Sequence, residues 1–363
     1  MGAAGAVSRI RAGELRGKFV PLAKRRMVLP LAIFGADYAL YATGVVGAVV
    51  SGGLAEKLAF ALLAGTFTAL LAIVGHDAIH QSFTSSRILN RLIGTFAFLP
   101  ALHPYSRWEH LHNRVHHRFT SQLGLDNAYP PMTVSEYLRA SPARQRWYRF
   151  KRSFAGQAVY YLVDVWVPKI LMPNRAERAG FGRADWLDFV FVYLWLAGLI
   201  AVLTALAHFE AKLALAAAVM DAALFGVCVP FLVWNVLFSF VTYVQHTGPN
   251  VHWILPTGHP STPREKLRGT AHVILPGTVD WFLHRAQQHP AHHIHSGVPL
   301  YALKRAQAEV ERHWPEETIT ARWTLSYHRR VTRDCKLYDP EADCWCDFAL
   351  CPTTGPRAVR DSR

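Results

Sequence analysis

Four long apolar stretches constrain this 363-residue chain more than any other feature of it. A bilayer's hydrocarbon core, about 30 Å thick, takes roughly 20 apolar residues in an α-helix. Residues 27–50 meet that length with one charge, Asp37, while 58–75 and 189–207 carry none. The fourth stretch, 213–244, is longer and is interrupted by Asp221 and by Pro230, which predicts a kink. The first run is too long and starts too late for a secretory signal peptide, so none is expected. The spacing predicts two transmembrane hairpins, 27–75 and 189–244, and four crossings put both termini and the central segment on one side.

Charge says which side. Hydrophobic residues make up 51% of the chain and charged ones only 18%, against about 25% in ordinary globular proteins. Of 39 Lys and Arg, all but Lys57 and Lys212 lie in 1–28, 76–185 and 245–363. The positive-inside rule makes those segments cytosolic, and the Lys24-Arg25-Arg26 cluster just before the first span is the strongest local signal. Two shorter apolar stretches, 88–102 and 154–172, carry charges and read as interfacial helices. The expected organisation is a basic arm at 1–26, a first hairpin at 27–75, and a cytosolic cap segment at 76–188. A second hairpin at 189–244, a second cap segment at 245–351 and a disordered tail at 352–363 complete it. The fold class is an all-α integral membrane protein, four transmembrane helices in two hairpins under a helical cytosolic cap. No nucleic-acid partner is expected.

Histidine is the next signal. There are 19, and three clusters fall in the segments assigned to the cytosol: His76/His80, then His112/His116/His117, then His289/His292/His293. On a helix, side chains four apart lie about 5–6 Å from each other, so His76/His80, His112/His116 and His289/His293 can each reach one metal. His117 and His292 enlarge two of the pairs toward a second metal. The second and fourth apolar helices overshoot the bilayer, which brings His76, His80 and His246 to the cytosolic interface. So many imidazoles exceed the coordination of one ion, and neutral nitrogen ligands suit a redox metal. A structural zinc site would use four ligands, often with thiolate. Asp77, Glu109 and Asp126 are placed to hold ligand imidazoles. The four cysteines between Cys335 and Cys351 contain no C-x-x-C pair and are read as reduced thiols.

These boxes resemble those of the membrane fatty acid desaturase superfamily. Around them, Trp108 four residues before His112, Asp126 with Tyr129-Pro130, and Val244-Gln245-His246-Thr247-Gly248-Pro249 are similar to Δ12/ω6-type acyl-lipid desaturases. So are the residues from His289 through Tyr301 and Lys336-Leu337-Tyr338-Asp339, the latter as in bacterial members. The likeness covers about residues 27–340. It departs in the middle box, where three residues rather than two separate His112 from His116, and in the extra imidazoles His110 and His295. The resemblance implies a di-iron centre held by His76, His80, His112, His116, His117, His246, His289, His292 and His293, with no catalytic side chain beyond the ligands. It implies oxygen-dependent desaturation of a fatty acyl lipid or acyl thioester, electrons from an external ferredoxin-like donor, and a bacterial inner membrane with the site on the cytosolic side. An acyl hydroxylase or acetylenase would share the boxes. A histidine-rich metal transporter is the reading of another class; it should carry its ligands at mid-membrane, whereas these lie at and beyond the cytosolic ends.

Overall fold

The computed structural model describes residues 17–355, so the arm before residue 17 and the tail from 356 lie outside the described residues. Among the described residues, four helices are long and apolar enough to cross a membrane: α1 (Val28–Val50), α2 (Leu54–Ile79), α3 (Arg183–Phe209) and α4 (Leu215–His246). Each begins or ends within a few residues of its apolar run. Side chains such as Leu62, Leu194, Val202 and Val236 stay exposed on the outer faces, as a lipid-facing surface requires. The helix at the centre is α2, whose most apolar window is 61% buried against 22–33% for the other three. Two glycines permit its close packing. A Cβ on Gly44 of α1 would lie 2.6 Å from the Ala64 nitrogen of α2, and one on Gly65 of α2 would lie 2.5 Å from Val233 of α4. Small residues at such crossings let apolar helices gain van der Waals contact that lipid cannot supply.

Around Pro230, where the sequence predicts a kink, α4 departs from α-helical form: it runs as a π-helix from Ala222 to Cys228, and Pro230 sits in the first turn of the α-helical remainder. The two acids inside the apolar stretches each have a side-chain partner. Asp221 accepts from Lys57 Nζ at 2.6 Å, and Asp37 is 2.7 Å from His284 Nε2. The two shorter apolar stretches form a helix at Arg87–Phe98 and a π-helix at Tyr161–Leu171. The first is fastened to the start of α3 by Arg91, which donates to Asp188 at 2.6 Å.

The expectation of an all-helical chain needs one correction. Two small sheets occur, β1 (Ala271–Ile274) parallel to β2 (Ile319–Arg322), and β3 (Leu337–Asp339) antiparallel to β4 (Cys344–Cys346). These strands are too short to show a period-2 pattern in sequence. The 81–182 and 247–355 segments also clasp each other: Leu123 N–H donates to Ile254 O, Ile254 N–H to Ser121 O, and Tyr338 N–H to Met132 O. The tail is ordered further than expected, since Thr353 N–H donates to Trp345 O at 2.8 Å.

Candidate metal centre

The first histidine pair rides on the end of the central helix. His76 lies in the last turn of α2 and His80 caps it, their ring centroids 5.0 Å apart, as spacing on an α-helix requires. The third box is a short helix, His289–Ile294, with Pro290 in its first turn and its Ala291 N–H bonded to Gln307 Oε1 of the helix Leu303–His313. Here too the four-residue spacing works: His289 and His293 Nε2 approach to 2.9 Å.

The middle box corrects the pairing. His110–His116 is a π-helix, in which His117 N–H donates to His112 O, five residues back. The wider turn brings His112 above His117, with their Nε2 atoms 3.0 Å apart, and sends His116 elsewhere. Pairing His112 with His116 assumed an α-helical turn that this segment does not make.

Nine imidazoles therefore sort into two groups. His76, His80, His112, His117 and His292 form one, and His116, His246, His289 and His293 the other; within each group one nitrogen per ring lies within 4.8 Å of all the rest. His246 closes the second group from the end of α4, with its Nε2 2.8 Å from that of His289. His110 is exposed and His295 half-buried; neither belongs to either group. His295 stacks on Phe19 instead.

Hydrogen bonding tests whether metals suit these groups. Asp126 can only accept, so His116 Nδ1 carries the proton it donates at 2.7 Å, and His116 Nε2 is a bare lone pair. Thr120 donates its hydroxyl to His116 O at 3.0 Å, which leaves the Thr120 oxygen to accept from His293 Nδ1 at 3.1 Å. His293 Nε2 is then also bare. The two lone pairs face each other at 3.1 Å. Such an approach is repulsive unless a cation lies between them. In the first group His80 Nε2 is buried with no protein partner. Burial first, then the crowd of neighbouring imidazoles, holds His112, His117, His289, His292 and His293 well below the usual imidazole pKa. Neutral imidazoles with converging lone pairs are what a divalent transition metal takes.

The three carboxylates differ. Asp126 orients a ring directly and also accepts from Ser121 N–H and Ala128 N–H. Burial alone would raise its pKa, but His116 and these donors hold it below the usual carboxylate value. Asp77 bonds no imidazole among the described residues; its carboxylate accepts the Leu300 N–H at 2.7 Å and so anchors the loop after the third box. Glu109 is half-buried and bonds no histidine either. Sequence reasoning passed over Thr120, and its only signal is its place four residues after His116. It also missed Asn113, whose amide donates to Ile79 O and ties the middle box to α2. The C-terminal cysteines join no metal group among the described residues. Cys335 is packed beside Tyr243 and Trp253, where burial pushes its thiol pKa up.

A cavity of about 610 Å³ reaches both groups. His76, His112 and His292 of the first line it, as do His116, His246 and His289 of the second. Most of the remaining wall is apolar, including Ala69, Ile73, Leu237, Phe238, Val279 and Leu283. That volume falls within the roughly 300–1,000 Å³ of small-molecule sites.

Residues 56–324 match the family model described as fatty acid desaturase. An sn-1 oleoyl-lipid 12-desaturase of Picosynechococcus is 29% identical over 77% of this chain and 76% of its own length. A chloroplastic omega-6 fatty acid desaturase of Arabidopsis thaliana is 26% identical over 76% of the chain and 58% of its own length. An sn-1 acyl-lipid omega-3 desaturase (ferredoxin) of Nostoc is 28% identical over 69% and 66%.

Proposed function

Because the chain belongs to the fatty acid desaturase family, we propose that it inserts a double bond into a fatty acyl chain of a membrane lipid, at a di-iron centre held by the two histidine groups. The observation that carries this reading is one apolar cavity touching six imidazoles drawn from both groups. His76, His80, His112, His117 and His292 would hold one iron; His116, His246, His289 and His293 would hold the other. Iron at these positions supplies what an unactivated C–H bond demands, namely oxygen activation and one-electron oxidising power.

The chain's own residues do the rest. Asp126 and Thr120 fix the tautomers of His116 and His293, so that both present lone pairs inward. The apolar wall aligns a hydrocarbon chain and keeps bulk water from competing for the oxidant. Confinement selects which carbon pair lies next to the histidines, the protein's usual share in metal-dependent chemistry. His76 and His246 lie at the ends of α2 and α4, which supports a site at one membrane interface. The basic segments favour the cytosolic face for it, where an external donor of the ferredoxin class would deliver electrons. Relatives with sn-1 oleoyl-lipid and sn-1 acyl-lipid names favour a lipid-bound chain over a thioester.

The test is expression of the whole chain in a bacterial host that lacks desaturases, with lipid profiling by mass spectrometry and metal analysis of the purified protein. New cis-unsaturated acyl chains and two irons per chain are expected. A hydroxylated or acetylenic product would transfer the reading to a sister activity; unchanged lipids from an iron-loaded protein with a working donor would end it.

A further inference from the structure

Beside the metal groups lies a side-chain chain that ligand-holding does not explain. His103 is buried, and its Nδ1 sits 2.6 Å from Ala101 O. A carbonyl only accepts, so Nδ1 bears the proton and Nε2 is free to receive one. The Tyr161 hydroxyl is 2.7 Å from that Nε2 and donates to it. A buried phenol bonded to a neutral imidazole is a ready proton-transfer pair.

Trp108 connects this pair to the first metal group. Its ring stacks on His112, with centroids 5.6 Å apart and planes 21° apart, and it meets His103 at 5.2 Å and Tyr161 at 6.1 Å. Among the described residues the buried Trp108 Nε1–H has no acceptor. No protein group there takes its proton on oxidation, and an oxidised Trp108 regains an electron from the nearest better donor. Trp108, Tyr161 and His112 all line the same cavity, and of its tyrosines and tryptophans Trp108 is the one stacked on a histidine of the first group.

We propose that Trp108 and Tyr161, with His103 as proton acceptor, form a one-electron relay that drains oxidising equivalents from the metal site when oxygen is activated with the acyl cavity empty. The inference rests on the reading of the site as an oxygen-activating centre. In the relay step one electron leaves the Tyr161 phenol by way of Trp108 and His112, and the oxidised metal centre is reduced by one equivalent. The Tyr161 O–H bond breaks, and the proton forms a new N–H bond at His103 Nε2. The products are a neutral phenoxyl radical and an imidazolium whose Nδ1–H still bonds Ala101 O. Burial pushes the His103 pKa down to about 3, but an oxidised phenol is a far stronger acid than that imidazolium, so the transfer runs downhill. The one-electron donor that serves turnover restores the pair by reducing the radical while the proton returns from His103.

The test uses the full iron-loaded chain in lipid vesicles with reduced ferredoxin and oxygen but no acyl substrate, freeze-quenched for electron paramagnetic resonance. The expected result is an organic radical whose hyperfine splitting collapses when the protein carries ring-deuterated tyrosine, and which is lost in Tyr161→Phe. Peptide mass spectrometry of Tyr161→Phe should then find oxygen inserted into Trp108. Oxygen consumption by the wild type with no tyrosine radical overturns the relay, and so does an undiminished deuterium-sensitive signal in Tyr161→Phe. The deuterium comparison needs no variant, so a misfolded Tyr161→Phe does not shield the proposal. Acyl substrate added to the same preparation separates the two readings. Double bonds formed by a preparation without the radical overturn the relay alone, whereas absent iron or absent double bonds overturn the proposed function and the relay with it.

Discussion

Asp126→Asn is the sharpest perturbation the site offers, because its cost falls on one metal and not the other. The carboxylate Oδ1 accepts from His116 Nδ1 and Ala128 N–H, and Oδ2 accepts from Ser121 N–H at 2.7 Å. An asparagine oxygen in the Oδ1 position keeps the first two bonds. Its NH2 then faces the Ser121 N–H, donor against donor in a fully buried place, and leaving a buried donor unsatisfied costs about 1–3 kcal/mol of stability. The lost charge also makes His116 a weaker ligand. Removing such a partner typically lowers metal affinity about 10–100-fold, which is roughly 1.4–2.7 kcal/mol. His116 belongs to the group with His246, His289 and His293. Iron should therefore leave that group first during dialysis against a graded chelator, and the variant should pass through a one-iron plateau near chelator levels at which wild type still holds two. Iron counted per folded chain, beside thermal unfolding of the metal-free form, measures both terms. Simultaneous loss of both irons, or a chelation curve identical to wild type, would refute the partition of the nine histidines argued above.

His110→Ala and His295→Ala should keep two irons and measurable turnover, whereas His112→Ala loses the iron of the first group; metal analysis of folded variants decides it. His117→Ala should reproduce the His112→Ala deficit and not that of His116→Ala, because the π-helical turn pairs residues five apart. Asp77→Ala should leave iron content unchanged and lower stability by about 1–3 kcal/mol, since it strips the acceptor from the Leu300 N–H. Stability of the metal-free protein should fall as pH drops below about 6.5, where unfolded imidazoles take up protons that folded His112, His117, His289, His292 and His293 refuse. Each ring that stays neutral contributes about 1.4 kcal/mol per pH unit. A flat unfolding free energy between pH 6.5 and 5 would contradict that origin. Turnover supported by an acidic iron–sulfur donor at subsaturating concentration should fall as salt rises toward physiological strength, where the Debye length is about 8 Å.

Sequence was most legible where the physics is local. About 20 apolar residues suffice to specify a span, so 58–75 and 189–207 fall inside two of the long helices, and 27–50 and 213–244 match the other two to within two residues at each end. The first and third boxes were equally legible, because His76/His80 and His289/His293 lie on ordinary α-turns. The middle box was not. A π-helix differs from an α-helix by one residue in each hydrogen-bonded ring, and nothing in the residues from His110 to His117 announces that choice. The small sheets escaped for another reason: β1 pairs with β2 some 48 residues downstream, from Ala271 to Ile319, and neither strand is long enough to carry its own pattern.

The residues alone determined that this chain has four stretches long and apolar enough to cross a membrane and carries more imidazoles than one metal can bind, since both follow from composition within short windows. Only the tertiary structure decided which imidazoles cluster together. The Nε2 atoms of His116 and His293 meet at 3.1 Å across 177 residues of sequence, and those of His117 and His292 at 3.0 Å across 175. Such neighbours are chosen by the packing of α2, α4 and the two cap segments, not by spacing along any helix. The roles of Asp77 and Asp126 were decided in the same way. Both are buried acids within about ten residues of a histidine box, and the surrounding backbone turns one toward Leu300 N–H and the other toward His116.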